Sequence, residues 1–143
     1  MPVNNFSVGR DITLTVVTAS GPLNLNLVTG FKSKQDSQEN KIKGLDGITR
    51  HVRFYDGWSG NFNIERADST VDDYFSQLEA NYYAGINELP ATITETIQEP
   101  NGAVTQYRYL NVLLKLDDAG DWAGDKSVKQ TISFVAAQRQ KIQ

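Results

Sequence analysis

The residue best suited to acid–base catalysis in this 143-residue chain is His51, its only histidine. Its neighbours Arg50 and Arg53 are cations, whereas a catalytic imidazole needs a carboxylate that orients it. The chain has no cysteine, which excludes catalysis by a thiol. We therefore interpret His51 as a partly exposed strand residue or an interface residue, and we expect no enzyme activity.

An acidic cluster towards the end of the chain is the next candidate, as a metal site. Asp117, Asp118, Asp121 and Asp125 lack the alternating ligands and the closing glutamate of an EF-hand calcium loop. Aspartate and glycine are common in solvated turns because both tolerate the backbone dihedrals found there. The glycines match neither G-x-x-x-x-G-K-[ST] nor a strand-linked G-x-G-x-x-G phosphate motif. We expect no metal, no nucleotide and no other cofactor.

Four aromatic residues are candidates for a platform that stacks on sugar rings: Trp58, Tyr82, Tyr83 and Trp122. Aromatic residues at strand and helix spacing more commonly belong to a core or to an interface. An alternative of a different class nevertheless rests on the two tryptophans, namely a β-sandwich carbohydrate-binding module. That alternative predicts a monomer with a ligand groove.

Charge and composition narrow the possible partners. The 14 Lys and Arg residues face 17 Asp and Glu residues, for a formal net charge of −3, whereas tight nucleic-acid binding needs an excess of basic residues. The length and the 39% hydrophobic content are typical of one soluble globular domain, here 1–143. No apolar run of 18 residues occurs, and MPVNNFSVGR lacks a secretory profile, so we expect no membrane partner.

Strict alternation of apolar and polar residues predicts strands over most of the chain. Residues 12–16 and 23–27 predict an opening hairpin around the turn at 19–22. The polar stretch 32–47 interrupts the alternation and predicts a long loop. A second hairpin is expected over 48–64, with its turn at Asp56-Gly57 and with Gly60 at a bulge or a close backbone contact.

One helix is predicted over 70–84, from an apolar stripe at spacings of three and four, with Asp68 or Ser69 as cap and Gly85 as stop. Three strands follow, at about 91–98, about 104–116 and a last one with Val128, Ile132 and Phe134 inward. A turn is expected at 100–102, and the second of these strands is expected either to have a bulge near Leu110 or to be buried on both faces. About seven strands and one helix predict an α+β, mostly β fold: an antiparallel sandwich or barrel with a flanking helix.

A family resemblance rests on the segment 30–66. The run GFKSKQDSQENKIKGLDG, followed by FYDGWSGNFNIER, resembles the tail tube protein of contractile-tailed bacteriophages. The likeness extends more loosely over the whole chain, from a short N-terminal arm, 1–10, to three final strands. Tubes of type VI secretion systems, tubes of phage-like bacteriocins and baseplate proteins that initiate a tube share this architecture, so all three stay as alternatives.

The resemblance implies a small β-barrel or sandwich with one helix, which is a structural virion protein and no enzyme. It implies hexameric rings stacked into a hollow tail tube, which conducts the genome and the tape-measure protein during ejection. Tail sheath, baseplate and tape-measure proteins are then the other partners, and DNA passes the lumen without specific binding. The protein would be assembled in the host cytoplasm and reside in the virion tail.

The long polar loop is our candidate for ring-to-ring stacking, because a loop of this length in a small domain commonly has a function of its own. Its charges alternate in sign, which sets register against a neighbour while keeping the free subunit soluble. The candidate stacking residues are Lys32, Lys34, Asp36, Glu39, Lys41 and Lys43.

The wall of the lumen is expected to be neutral to acidic, because clusters of Lys and Arg would bind the passing phosphates. Alternation shows which residues share a sheet face but leaves open which face meets DNA. The first set of candidates is Asn24, Asn26, Thr92, Thr94, Glu95 and Thr96, and the second is Ser59, Asn61, Asn63 and Glu65. Both sets stay open on the sequence.

Overall fold

Alternating residues form antiparallel strands along most of the chain, and the α+β, mostly β prediction is confirmed. The computed structural model describes residues 6, 11–25 and 27–143. The predicted N-terminal arm, apart from Phe6, and Asn26 lie outside the described residues. In chain order the elements are β1 (Ile12–Thr18), β2 (Gly21–Leu23), β3 (Leu27–Lys43), β4 (Thr49–Glu65), α1 (Thr70–Tyr83), β5 (Ala91–Gln98), β6 (Val104–Asp118), β7 (Lys129–Ala136) and β8 (Gln138–Lys141).

The strands pair in the order β2-β1-β5-β6-β7-β4-β3, and β8 lies beside β6. The first part of β6 pairs with β5 and β8, and its last part pairs with β7. Between these parts Asn111 has a φ of 54°, where the β5–β6 register shifts between Tyr109 and Val112. This confirms the bulge predicted near Leu110. The bend turns the sheet over into an open sandwich whose first half holds β1, β2, β5 and β8 and whose second half holds β3, β4 and β7.

The core lies between the two halves. Phe62 of β4 and Phe134 of β7 are buried and have ring centroids 6.1 Å apart. Tyr109 of β6 meets Phe134 edge to face at 5.5 Å, and Ile93 of β5 belongs to the same buried cluster. Val71 of α1 is fully buried as well, so the helix covers part of this core.

The helix follows the predicted apolar stripe only over its first half. Asp68 accepts a hydrogen bond from the Thr70 amide at 3.0 Å, and Gly85 ends the helix with a φ of 79°. Leu78 is half-buried, but Tyr82 is 75% exposed. No helix among the described residues is long and apolar enough to cross a membrane.

The loop predicted over 32–47 is wrong. The β3 strand continues through this segment to Lys43, and only residues 44–48 form a turn before β4 begins. Residues 38–43 of the strand are exposed on both faces, so their sequence does not alternate and resembles a loop.

The hairpin turn predicted at Asp56-Gly57 is also wrong. These two residues lie inside the continuous strand β4, at a shift in the β3–β4 register between Gln35 and Ser37. Asp-Gly suits a bulge as well as a turn, because glycine supplies the positive φ, here 92°. Beyond this bulge the paired strands leave the core, and we call residues 36–56 the hairpin arm.

Candidate functional site: a hairpin arm and two sheet faces

The hairpin arm exposes apolar side chains on a strand pair that no other described element covers. We call residues 41–53 the arm tip; they include the turn 44–48, where the Gly44 amide donates to the Ile48 carbonyl at 3.2 Å. Leu45 at the tip is fully exposed. Contiguous exposed apolar residues commonly mark an interaction site. The exposed apolar residues of the arm are Ile42, Leu45, Ile48, Val52, Phe54 and Tyr55.

Two ion pairs lie within the arm, and some of its other cations make no ion pair with a described residue. Arg50 pairs with Asp46 at 2.9 Å, and Arg53 pairs with Glu39 at 3.1 Å across the two strands. The Arg50 guanidinium holds the pKa of Asp46 below its usual value. Lysines 41 and 43 make no ion pair with any described residue. The tip therefore combines apolar side chains with free positive charge.

Two glycines fix the base of the arm to the body. A side chain at Gly57 would collide with the carbonyl oxygen of Ala136 in β7. A side chain at Gly60 would collide with the backbone of Lys32 and would lie 2.9 Å from the Phe134 ring. The close backbone contact predicted for Gly60 is therefore confirmed. Because both contacts are with backbone, the arm leaves the body in a set direction.

The six candidate stacking residues do not form one site. Lysines 32 and 34 lie on the body, where β3 pairs with β4 next to Asn61 and Ser59. Asp36 lies at the bulge, 3.9 Å from the Lys34 ammonium. The other three, Glu39, Lys41 and Lys43, lie on the arm.

Three of the lumen candidates share one outer face of the first sheet half. Thr92, Thr94 and Thr96 of β5 point away from the core, level with Thr13 and Thr15 of β1. On β6 the same face continues with Gln106, which donates to Thr96 at 3.1 Å, and with Arg108. We call this surface the threonine face, made of Thr13, Thr15, Thr92, Thr94, Thr96, Gln106 and Arg108. It carries hydroxyl and amide groups and a single charge.

Glu95 does not belong to this face, which corrects its place among the lumen candidates. It shares the parity of Ile93 and is only 6% exposed, inside the sandwich. The Tyr109 hydroxyl donates to Glu95 Oε2 at 2.8 Å and lies 3.0 Å from Ser33 Oγ. Burial, followed by the hydrogen bond and the charge of Glu95, raises the pKa of Tyr109 to about 12. The glutamate therefore has a structural partner in the core.

Asn24 is exposed in the connection between β2 and β3, directly after Leu23. Asn26 lies outside the described residues. Within the first set of lumen candidates, the three threonines form a common surface and Glu95 is buried.

The second set of lumen candidates lies on the outer face of the other sheet half. Ser59, Asn61 and Asn63 alternate with the buried side chains of β4. Glu65 has the same parity, but it is half-buried. This surface also holds three lysines, so we call it the lysine face, made of Lys32, Lys34, Ser59, Asn61, Asn63, Lys115 and Ser133.

The candidates for catalysis and metal binding do not come together. His51 is an exposed strand residue opposite Lys41, as interpreted from the sequence. Asp117 accepts a hydrogen bond from Ser133, and Asp118 accepts one from the Gly120 amide. Within the described part of the chain, no group of three His, Cys, Asp or Glu residues could hold a metal ion.

The two tryptophans are on different parts of the fold and do not form one platform. The Arg139 guanidinium covers the ring of Trp58 at 4.0 Å and that of Tyr107 at 3.9 Å, so it lies between two aromatic rings. Trp122 is 70% exposed in the connection between β6 and β7, with Arg66 at 5.3 Å. Sequence reasoning missed the Arg139 contact, because its three residues are far apart in the chain.

Comparison with solved structures finds the same fold over the whole chain. A chain of the PVC sheath/tube terminator of an extracellular contractile injection system, in the extended state, has a TM-score of 0.64 at 11% identity and covers 100% of this chain and 96% of its own. A chain of the PVC sheath-tube complex has a TM-score of 0.60 at 12% identity, covering 90% and 88%. A chain of the tail of an empty GTA particle, computed with helical refinement and C6 symmetry, has a TM-score of 0.56 at 10% identity, covering 96% and 100%.

No model of a known protein family matches the sequence, and no curated protein matches it significantly. The structural neighbours are nevertheless consistent with one another, because they are chains of contractile injection systems and of phage-like tails. The chain therefore has the fold found in tube and tube-terminating assemblies, and the fold implied by the sequence resemblance is confirmed.

Proposed function

We propose that this chain is a structural subunit of the tail tube of a contractile-tailed phage or of a related injection particle. It assembles as hexameric rings that stack into a tube and conduct the genome and the tape-measure protein. The observation that carries the proposal is the structural match to a chain from the tail of a particle with C6 symmetry. The match covers 96% of this chain and 100% of that chain. The subunit resides in the particle tail. The sheath surrounds the tube, and the tube ends at the baseplate.

Open sheet edges support ring formation. The 17-residue strand β3 pairs only with β4 among the described strands, so its other edge presents unpaired backbone groups. Long open edges favour pairing with another chain. A closed ring of subunits removes such edges, whereas a monomer would leave them exposed.

The threonine face is the better lumen wall of the two candidate faces. Its hydroxyl and amide side chains hold one cation, Arg108, while the lysine face holds Lys32, Lys34 and Lys115. Each lysine would be repeated around every ring and would attract the phosphates of a passing duplex. We therefore assign the threonine face to the channel and the lysine face to contacts with protein.

A matched pair of double variants tests this assignment. Thr92→Lys with Thr94→Lys should permit assembly but slow genome ejection. Each subunit then adds two cations to the channel wall, about twelve per six-membered ring, and these attract the phosphates of the duplex. Ala123→Lys with Gly124→Lys adds the same charge to the exposed connection between β6 and β7, outside both faces, and should leave ejection kinetics unchanged. Equal ejection rates in both variants would remove the threonines from the wall.

Ring-to-ring stacking is assigned to the hairpin arm, which extends beyond the body. Replacing residues 40–52 with Asn-Gly should shorten the arm while keeping the pair Glu39–Arg53 at its new end. We expect folded subunits that form rings but do not stack, measured by electron microscopy and sedimentation. Normal tubes from this variant would exclude the arm from stacking.

A tube terminator is the second candidate, and the TM-score of 0.64 to the sheath/tube terminator chain favours it. A terminator occurs once per tube and should form a single ring that does not extend. Purified protein that grows into long tubes identifies the repeating subunit, whereas rings that stay single and bind only tube ends identify the terminator.

A further inference from the structure

A groove of about 560 Å³ lies beside the helix, away from both sheet faces. It is bounded by α1, the β1–β2 turn and the segment 86–89 that follows the helix. Its apolar lining consists of Pro22, Leu23, Tyr74, Leu78, Ile86 and Leu89. Ile86 and Leu89 are largely exposed although they lie side by side on this wall.

The rim of the groove is acidic. Asp73 and Glu88 line it, and the chain has no Lys or Arg anywhere between Ala67 and Tyr107. Burial and then the nearby Glu88 carboxylate raise the pKa of Tyr74, which places that charge beside the groove wall. Glu88 makes no ion pair with any described residue. The groove therefore combines an apolar floor with acidic residues, and no Lys or Arg is among its described lining residues.

The tip of the hairpin arm has the complementary character. Between Lys41 and Arg53 the chain carries Lys and Arg residues and one acid, Asp46. Lysines 41 and 43 are without ion partners in the described chain, and they flank the exposed apolar residue Ile42. No hydrogen bond or ion pair joins the arm to the groove within one copy, as far as the structure describes it.

The arm is long enough to reach another subunit. Residues 37–43 form seven paired positions beyond the bulge, and at about 3.3 Å each they extend roughly 23 Å. Two complementary patches at different places on the same chain make a head-to-tail contact, which propagates from copy to copy. A self-complementary contact would instead stop at a dimer.

We propose that the arm tip of one copy docks in the helix groove of a copy in the adjacent ring. Leu45 and Ile48 pack on the apolar floor, and lysines 41 and 43, whose side chains share one face of β3, face Glu88 and the groove rim. This inference rests on the proposed stacking role and names the surface that receives the arm. It also explains why the helix and the arm tip carry opposite charges in a chain of small net charge.

Cysteine crosslinking tests the contact directly, because the natural chain has no cysteine. Leu45→Cys combined with Ile86→Cys should give disulfide-linked ladders of several copies on mild oxidation. The matched control combines Leu45→Cys with Val135→Cys, an exposed apolar site on the second sheet half, and should give no ladder. A ladder in the control alone, or in neither, would overturn the proposal.

A charge exchange provides a second readout that does not depend on geometry at a single atom pair. Lys41→Glu with Lys43→Glu, and separately Asn87→Lys with Glu88→Lys, should each raise the concentration needed for stacking about tenfold or more. The four changes combined should restore stacking to within about threefold of the natural chain. Single-side variants that stack normally, or a combined variant that does not recover, would contradict the contact.

The inference and the proposed function fail in different ways. Normal tubes without the Leu45–Ile86 crosslink would leave the tube function standing and overturn the groove. If the natural chain forms no tube at any concentration, the proposed tube function fails. Crosslinked dimers of the double-cysteine variant in solution would then still support the docking of arm in groove. Absence of those dimers would overturn the docking as well. Crosslinking of Ile86→Cys to a sheath or baseplate protein in place of a second copy would assign the groove to that partner and overturn the proposal.

Discussion

The strands β3 and β4 form one continuous antiparallel pair, yet its two ends have opposite roles. Near the body, Phe31 lies opposite Phe62, and both contribute to an aromatic cluster with Phe134. On the arm, Phe54 lies opposite Gln38 and is exposed. The backbone pairing is the same, so the difference comes from the second layer that covers one end only. Apolar residues there stabilise the subunit, while apolar residues on the arm remain available to a neighbour.

Removing a covered aromatic ring should have the largest effect on the free energy of unfolding. Phe134→Ala is expected to destabilise the subunit by about 3–5 kcal/mol, because its ring packs against Phe31, Phe62 and Tyr109. Phe54→Ala on the arm is the matched control, with an expected change within about 0.5 kcal/mol. Urea denaturation of the unassembled protein measures both. Equal losses of unfolding free energy would show that Phe54 on the arm is packed under a further layer of the protein.

The joint between body and arm gives the next largest effect. Gly57→Ala should cost about 1–3 kcal/mol for the positive φ and a similar amount for the overlap with the Ala136 carbonyl. Gly124→Ala, at a glycine with open space around it and an ordinary φ, is the control and should change stability by less than about 0.5 kcal/mol. Thermal unfolding compares the two variants.

The buried Tyr109–Glu95 hydrogen bond should contribute a smaller amount. Tyr109→Phe is expected to cost about 1–3 kcal/mol at neutral pH, because the carboxylate loses its donor inside the sandwich. The raised pKa also sets a pH dependence. The folded protein keeps the phenol protonated up to about 12, whereas the unfolded chain releases the proton near 10, so this stabilisation is complete below pH 10 and is lost between pH 10 and 12.

Stability curves of the natural chain and of Tyr109→Phe test this dependence between pH 9 and pH 12. The stability of the natural chain should fall more steeply over that range. Parallel curves would mean that the pKa of Tyr109 does not change on folding.

The body was largely predictable from the sequence, and the arm was not. The helix followed from its apolar stripe and from Gly85, and the β5–β6 hairpin followed from Pro100-Asn101-Gly102, because those residues have strong local backbone preferences. The segment 38–43 is exposed on both faces, so it lacks the alternation that reveals a half-buried strand. Asp56-Gly57 was predicted as a hairpin turn although it forms a bulge, because glycine supplies the positive φ in both structures.

The candidate site was predictable only in part, for a related reason. Parity along β5 places Thr92, Thr94 and Thr96 together, and applied strictly it also places Glu95 inside with Ile93. The helix groove depends on elements that are distant in sequence, so no local pattern predicts it. Its acidic character is visible in the chain as the absence of Lys and Arg from Ala67 to Tyr107.

The smallest effect on the isolated subunit is expected at the arm tip, and it sharpens the contrast with the body. Leu45→Asp should leave the free energy of unfolding within about 0.5 kcal/mol of the natural chain, since the side chain is fully exposed. The same change should weaken stacking, because it introduces an acid where the tip meets an acidic rim. Unfolding and sedimentation of the same sample separate the two effects. A variant that unfolds readily would contradict the division of roles.

Negative-stain electron microscopy of the purified natural chain over a range of concentrations, with and without a baseplate seed, tests the proposed tube function most directly. We predict six-membered rings that stack into hollow tubes as the concentration rises. A strictly monomeric species under every one of these conditions would contradict a tube-forming subunit.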